Sequence, residues 1–465
     1  MESKNTKKPN ILFLFADDQR FDTIHALGNK GIKTPNLDKL VKEGTTFTHA
    51  HIPGGTCGAV CMPSRAMLHT GRSLFKLDKQ GQEIPEEHTL MGEVLRNEGY
   101  TSFGTGKWHN GIRAYARSFN DGDNIFFGGM HDHWCVPVHS YDPTKQYAKR
   151  IRRVENYSYN NKPHSHIADG MHPGEHSTDF IAQSVIDFLD KKHEQPFFAY
   201  VSFLAPHDPR TMPEEFRNLY RAEDIELPPN FMNYHPIEYN NTQCRDEVLA
   251  PYPRTIEDTK NQIAEYYGMI SHLDYQIGRI LDKLEAVGEK ENTLIIYTAD
   301  NGLALGQHGL FGKQNLYEHS VRVPLIFSGQ TIPKNEQRNQ LVYLYDIFPT
   351  LCDFLKLEQP ESILGKSFLS AFENKEVVIR DGLYLAYTDK IRGLRKEGYK
   401  YIQHRYQGLE TASLYNLEQD PYECSNLAQD PKQKDRLISF KEALKAYAET
   451  SGELSQELGQ NYWGK

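Results

Sequence analysis

The feature that most constrains this chain is a set of three short apolar runs, each ending abruptly in a polar cluster. Ile-Leu-Phe-Leu-Phe at 11–15 runs into Ala16-Asp17-Asp18-Gln19. Pro-Phe-Phe-Ala-Tyr-Val-Ser-Phe at 196–203 leads to Ala205-Pro206-His207-Asp208, and Thr-Leu-Ile-Ile-Tyr-Thr at 293–298 leads to Ala299-Asp300-Asn301-Gly302. A continuous apolar run of this length predicts a strand buried on both faces, as in a parallel sheet. Helical patterns lie between the runs. Ser177-Thr-Asp179 reads as an N-cap region, followed by Phe180, Ile181, Ser184, Val185, Phe188 and Leu189 at helical spacing. A longer helix is predicted from about 260 to 284 on Ile263, Tyr266, Tyr267, Ile270, Leu273, Ile277, Ile280, Leu281 and Leu284. Strand and helix in alternation predict an α/β fold with a large, mainly parallel or mixed sheet sandwiched by helices. Sites in such sheets form outside the carboxyl ends of the strands, where the polar clusters fall.

The 465 residues suffice for two domains. Residues 1–374 are expected to form the catalytic domain, with a loop-rich insertion at about 112–176 that is dense in Asn, Gly, His, Tyr and Asp. Residues 375–465 turn to short β-like runs (Gly382-Leu-Tyr-Leu-Ala-Tyr387, Tyr399-Lys-Tyr-Ile-Gln403) and a final helix at about 431–450, predicting a smaller C-terminal α+β subdomain. The net charge of -9 argues against a nucleic-acid partner. Six cysteines in so long a chain make no disulfide framework, and no CxxC pair points to zinc. No run of about 18 apolar residues predicts a membrane span. The polar start, Met1 to Pro9, leaves no room for a secretory apolar segment, so the chain as written is expected in the cytoplasm, or in the periplasm or outside the cell if an export signal has been removed.

The sharpest local signal is Cys61-Met-Pro-Ser-Arg65, continuing to Thr70-Gly-Arg72. Pro63 and Ser64 can begin a helix with Cys61 at its mouth, where free N–H groups and the helix dipole favour an anion and Arg65 adds a formal charge. Read alone, this is an inert cysteine before an ordinary helix. The chain as a whole, however, resembles the type I, formylglycine-dependent sulfatases of the alkaline phosphatase superfamily, whose signature is Cys-x-Pro-x-Arg with a trailing Thr-Gly-Arg. The resemblance extends from Asn10-Ile-Leu-Phe-Leu-Phe-Ala-Asp-Asp18 to Leu414-Tyr-Asn-Leu-Glu-Gln-Asp-Pro-Tyr-Glu-Cys-Ser-Asn-Leu427. It implies an alkaline phosphatase-like sheet, and that a separate formylglycine-generating enzyme oxidises Cys61 to an aldehyde whose hydrate is the nucleophile. One hydroxyl would attack sulfur with S–O cleavage, and loss of the other's proton would release sulfate.

The same resemblance implies the rest of the site. Asp17, Asp18, Asp300 and Asn301 match the family's metal ligands, an all-oxygen set suited to Ca²⁺, with Mg²⁺ possible. In Gly104-Thr-Gly-Lys107-Trp-His109, Lys107 would bind the formylglycine oxygen and sulfate, and His109 would take the diol proton. His207 would protonate the leaving alcohol, and Lys313 would clamp a sulfate oxygen. Taken singly, each of these is a solvated charge, a turn residue or a structural histidine; the joint match carries the reading.

Substrate contacts are sought in His308, in Asp208 and Arg210 after His207, and in His131, His133 and Trp134 of the insertion, which also carries His164 and His166. Polar side chains with one aromatic platform suit a sulfated carbohydrate, such as a glycosaminoglycan or algal polysaccharide fragment. The bland alternative is that the insertion is only a hydrophilic cover. Two rival functions remain at this point: a phosphoester or phosphonate hydrolase of the same superfamily, and a non-catalytic sugar-binding protein with unmodified Cys61.

Overall fold

The computed structural model describes residues 7–155 and 158–464. The apolar runs form the centre of an eight-stranded sheet. Its strands, in chain order, are β1 (Asn10–Ala16), β2 (Gly44–Phe47), β3 (Thr101–Lys107), β4 (Asp121–Phe126), β5 (Phe197–Ser202), β6 (Thr293–Ala299), β7 (Leu325–Ser328) and β8 (Glu336–Arg338). The spatial order is β8-β2-β7-β6-β1-β5-β3-β4. From β6 to β4 all neighbours are parallel, β7 is antiparallel to both β6 and β2, and β8 is parallel to β2.

The sheet is covered on both faces. Phe103 and Tyr200 occupy consecutive registers of the β3–β5 pair and so point to opposite sides. Phe103 stacks on Phe188 of a helix at Ser177–Asp190, ring centroids 4.4 Å apart, while Tyr200 meets His69 of a helix at Cys61–Thr70 at 4.8 Å. A 31-residue helix, Ile256–Ala286, packs beside the Ser177–Asp190 helix. A second sheet, C-terminal, holds β9 (Gly382–Tyr387), β10 (Ile391–Lys396), β11 (Tyr399–Tyr406) and β12 (Leu409–Asn416), backed by a helix at Lys434–Ser451. Its β9 edge pairs in parallel with Gly54–Gly55, six residues before Cys61.

Register sets where the strand ends meet. Ala16 lies opposite Ala299, so the next residues, Asp17 and Asp300, emerge side by side. Ser202 lies opposite Gly106, so Lys107 emerges at the same edge.

The structure differs from expectation in four places. Asp121–Phe126, inside the expected insertion, is the edge strand of the main sheet. Its sequence, Asp-Gly-Asp-Asn-Ile-Phe, has poor strand propensity, and pairing with β3 overrides it. The cap of the Ser177–Asp190 helix is His176, whose ring accepts from Thr178 N at 3.2 Å, because the Ser177 hydroxyl is taken by His133. The long helix starts at Ile256 with Thr255 as its cap (Thr255 Oγ1 accepts from Asp258 N at 3.0 Å); its polar first turn shows no apolar period. The C-terminal sheet also holds two strands beyond those expected, β10 and β12.

Gly106 tests the pairing that delivers Lys107. Its φ is +79° at a register irregularity, and a Cβ there would stand 1.8 Å from the Ser202 carbonyl oxygen. Gly99 has a similar φ of +87° but open space around it. Gly99→Ala should cost about 1–2 kcal/mol, the ordinary penalty of a left-handed non-glycine residue. Gly106→Ala should lower the melting temperature far more, since β3 and β5 cannot both keep their places. Equal melting temperatures for the two variants in a thermal scan would refute this account.

Candidate active site

Four segments converge at the carboxyl edge of the sheet. Cys61 is the first residue of its helix and Arg65 lies one turn in, fully buried. The Arg65 guanidinium donates from Nε to Asp300 Oδ2 at 2.9 Å, and from Nη1 to the Lys107 carbonyl at 3.0 Å and to Ser202 Oγ at 2.6 Å. Its Nη2 lies 3.6 Å from Asp17 Oδ2. Ser64 Oγ donates to the Asp300 carbonyl at 2.6 Å. The helix that presents Cys61 is thereby pinned to the ends of β3, β5 and β6 by its own third and fourth side chains after the cysteine.

The carboxylates are matched by lysines. Lys107 Nζ donates to Asp17 Oδ2 at 2.5 Å and approaches Cys61 Sγ at 3.4 Å. Lys313 Nζ donates to both oxygens of Asp18, at 2.6 and 2.8 Å. Asp18 N donates to Asp300 Oδ1 at 3.0 Å, and Asn301 Nδ2 to Asp18 Oδ1 at 2.7 Å. Two buried oxygens in this cluster, Asp17 Oδ1 and Asn301 Oδ1, have no hydrogen-bond partner. Orphaned buried acceptors are costly unless something positive meets them, and a hard cation with oxygen ligands fits this donor set. The residues of the expected metal site are thus brought together, and their chemistry suits Ca²⁺ or Mg²⁺.

The charges follow from burial and neighbours. Burial, then Asp300, pushes the Asp17 carboxyl up to about 6 against the pull of Lys107 and Arg65. A dication on Asp17 would draw it back down. Burial also works against Asp300, but Arg65, Lys107 and Lys313 hold it well below the usual carboxylate range. Burial pushes the Cys61 thiol up to about 11, so at neutral pH it is not a thiolate. His109 Nδ1 lies 3.6 Å from Cys61 Sγ, and burial, with Lys107 and Arg65, keeps its imidazole neutral well below its ordinary value.

His207 stands on the other side. Its Nδ1 donates to the Asp208 carbonyl at 2.7 Å, which leaves Nε2 facing Asp18 Oδ2 at 3.6 Å. The remaining expected contacts divide. Asp208 does not point free into the pocket; it is gripped by both Nη atoms of Arg245, one at 2.7 Å, and sits 3.4 Å from His207 Nδ1. His133 is buried, donating or accepting between Ser177 Oγ at 2.7 Å and the His207 carbonyl at 2.9 Å, so it supports His207 from behind. Trp134 packs edge-on to His176. Arg210 bonds Gln262. His308 is buried, stacked on Tyr317 at 3.9 Å and bonded to Asn230, and among the described residues it makes no hydrogen bond to the clamp. His131 pairs with the hairpin of the insertion and not with the clamp.

Sequence reasoning missed Ser64, Ser202, Arg245, Asp246 and Gln314. Gln314 Nε2 donates to Asp246 Oδ2 at 2.7 Å and to the Gly58 carbonyl at 2.9 Å, joining the segment after Lys313 to the one before Cys61. Its position beside Lys313 was a usable signal; Arg245 lies in an irregular stretch with no motif.

A mainly parallel α/β sheet with an oxygen-rich cluster and a cationic clamp at its carboxyl edge is the architecture of the alkaline phosphatase superfamily. The sulfatase family model matches residues 9–357, and a model described as N-sulphoglucosamine sulphohydrolase, C-terminal, matches residues 306–450. The chain belongs to the sulfatase family. A curated relative from Formosa agariphila, named sulfatase, is 28% identical over 95% of this chain and 87% of its own length. N-acetylglucosamine-6-O-sulfatase from Bacteroides thetaiotaomicron is 24% identical over 96% of this chain and 88% of its own. A solved structure of a protein in complex with its substrate D-glucosamine-2-N,6-O-disulfate shares the fold, with a TM-score of 0.77 and 20% identity, covering 98% of this chain and 100% of that one.

Removing Arg65 tests the clamp. Arg65→Met leaves Asp300 buried without its main cation, and breaking a buried pair on one side costs about 3–5 kcal/mol. The melting temperature should fall accordingly, and calcium should raise it by more in the variant than in the native protein. A variant as stable as the native protein in calorimetry, with or without calcium, would contradict this role.

Proposed function

We propose that the protein hydrolyses a sulfate ester on a carbohydrate, with Cys61 oxidised to formylglycine and a Ca²⁺ ion, or Mg²⁺, on Asp17, Asp18, Asp300 and Asn301. The observation that carries the reading is the meeting of Cys61, Lys107, His109, His207 and Lys313 around that oxygen cluster. The high Cys61 pKa supports it from another side: a neutral, buried thiol is a poor nucleophile toward an anionic ester, so the side chain gains a function by oxidation.

The Cys61 sulfur marks where formylglycine oxygens would stand. When formed, the hydrated aldehyde would supply the attacking hydroxyl, and a cation held by Asp17, Asp18, Asp300 and Asn301 would lower the pKa of that hydroxyl and polarise a sulfate oxygen. The side chains do the rest. Lys107 and Lys313 neutralise Asp17 and Asp18 and stand where their ammonium charge would also meet the sulfate oxygens. Neutral His109, beside the Cys61 position, accepts a proton there and so drives sulfate release. His207, its Nδ1 held by a carbonyl and its Nε2 turned inward, gives a proton to the leaving alcohol. Burial of the lysines, carboxylates and His207 keeps bulk water from screening these charges.

Two observations support a carbohydrate substrate. The rim next to His207 and Lys313 is polar, carrying exposed Arg245 and half-buried Asp246, with buried Gln314 beneath them, groups suited to hydroxyls. The N-acetylglucosamine-6-O-sulfatase relative, by its name, also acts on a sulfated sugar. Against a two-metal phosphatase stand the lysines themselves, which bring to the carboxylates the positive charge a second metal would bring. A non-catalytic binding protein has no use for a half-buried, neutral imidazole beside Cys61.

Protein made in a maturation-competent host should carry CHO in place of CH₂–SH at residue 61 by peptide mass spectrometry. It should release sulfate from nitrophenyl sulfate and from a sulfated disaccharide panel, in preference to phosphate from nitrophenyl phosphate. Cys61→Ala should lose at least about 10³-fold in kcat/KM, and chelation should suppress activity until Ca²⁺ is restored. Preference for the phosphate ester would favour the phosphoester reading, and unmodified Cys61 with sugar binding but no turnover would favour the binding protein.

A further inference from the structure

A second cluster of metal-type ligands lies in the segment that covers the site. His131 follows β4 in the covering loop, Glu155 follows a strand at Arg150–Val154, and His166 lies in its partner strand, Pro163–Ile167. The three ligand atoms all fall within 4.8 Å of one another. His166 Nε2 stands 2.9 Å from Glu155 Oε1 and His131 Nε2 stands 3.9 Å from the same oxygen. Ligands about 2.0–2.2 Å from a tetrahedral ion stand roughly 3.3–3.6 Å apart, and these two distances bracket that span.

Three features favour an ion between these atoms. The His131 Nδ1 faces the Asp132 carbonyl at 3.4 Å; as the donor there, it leaves Nε2 as a free lone pair directed at the cluster, the arrangement typical of a ligating imidazole. The His166 Nε2 is buried and, although close to Glu155, makes no aligned hydrogen bond. A lone pair this near a carboxylate oxygen is repulsive unless a proton or cation lies between. The hairpin itself has little else to hold it: its strands, Arg-Ile-Arg-Arg-Val and Pro-His-Ser-His-Ile, bury none of their residues fully. A two-stranded hairpin is marginal alone, and a bound metal is one of the standard staples for such elements.

We propose that His131, Glu155 and His166 form a second metal site, for a borderline transition cation of the Zn²⁺ type with water completing the shell. Nitrogen donors plus one carboxylate select such an ion over Ca²⁺, which the all-oxygen cluster prefers. The ion tethers the outer hairpin to the covering loop, and that loop touches both catalytic histidines. A Cβ on Gly129 would meet His109 Nε2 at 2.6 Å, and His133 Nε2 bonds the His207 carbonyl at 2.9 Å. The site is therefore structural, bracing the wall against which His109 and His207 are set.

The test uses the full chain, stripped of metal and then saturated with Ca²⁺ so that the oxygen cluster is filled. Titration with Zn²⁺ in a calorimeter should show one equivalent bound and a raised melting temperature. His131→Gln and His166→Gln should each weaken that binding by at least about tenfold, the loss that even an outer-shell change produces, while Asp300→Asn leaves it unchanged. Co²⁺ added to the native protein gives a readout that needs no variant: a tetrahedral centre with nitrogen ligands absorbs intensely in the visible, and an octahedral oxygen site only faintly. Absence of stoichiometric Zn²⁺ binding, a faint Co²⁺ spectrum, or an affinity untouched by both histidine variants overturns the proposal. So does Zn²⁺ binding that disappears in Asp300→Asn.

Discussion

The structure of the site depends on one buried guanidinium. Arg65 reaches from the helix headed by Cys61 to Asp300 at the end of β6, to Ser202 at the end of β5 and to the backbone of Lys107 at the end of β3. Taking such a charge out of water is expensive, and a buried ion pair seldom adds net stability over an apolar replacement. Its gain here is positional. Three strand ends and one helix start are fixed to one another, and Cys61 is fixed against Lys107 as a consequence. The apolar residues of the sheet fill space but could not set these positions to within a hydrogen bond.

Around that anchor the charges are nearly balanced within a few ångströms. Three carboxylates, Asp17, Asp18 and Asp300, face Arg65, Lys107 and Lys313, and every one of the six is buried. The two oxygens left without partners, on Asp17 and Asn301, show where this balance is incomplete. A cation entering there would meet those two oxygens and compete with Lys107 and Lys313 for the carboxylates. Low local dielectric strengthens each of these interactions and explains why so few residues suffice.

The surrounding layers act on the histidines. His207 is oriented by its neighbour's carbonyl, by Asp208 under the grip of Arg245, and from behind by His133 stacked on His176. His109 is walled by the covering loop at Gly129. The C-terminal sheet, through its pairing with Gly54–Gly55, supports the chain just ahead of Cys61. Thus the cover and the second sheet bear on the site through contacts with the residues that flank it, and side chains such as Arg245 that grip it come from irregular chain between regular elements.

The sequence alone was enough for the three central strands of the main sheet and for the polar clusters at their ends. Apolar runs at 11–15, 196–203 and 293–298 had to be buried on both faces, and the acids at 17, 18 and 300 followed directly from where those runs stopped. The motif around Cys61, with Lys107, His109, His207 and Lys313, was readable only through the joint match to the family, since none of these residues taken singly carries a signal. Other features were invisible because they have no local cause. β4, written Asp-Gly-Asp-Asn-Ile-Phe, is a strand only because β3 offers it partners. His308 and Asp208 looked like substrate contacts, yet one is stacked under Tyr317 and the other is held by Arg245, 37 residues away. Periodicity and motif spacing are set by bonds along the chain, so the sequence reports them. Which way a side chain in irregular backbone turns is set by neighbours distant in sequence, and only the folded packing decides it.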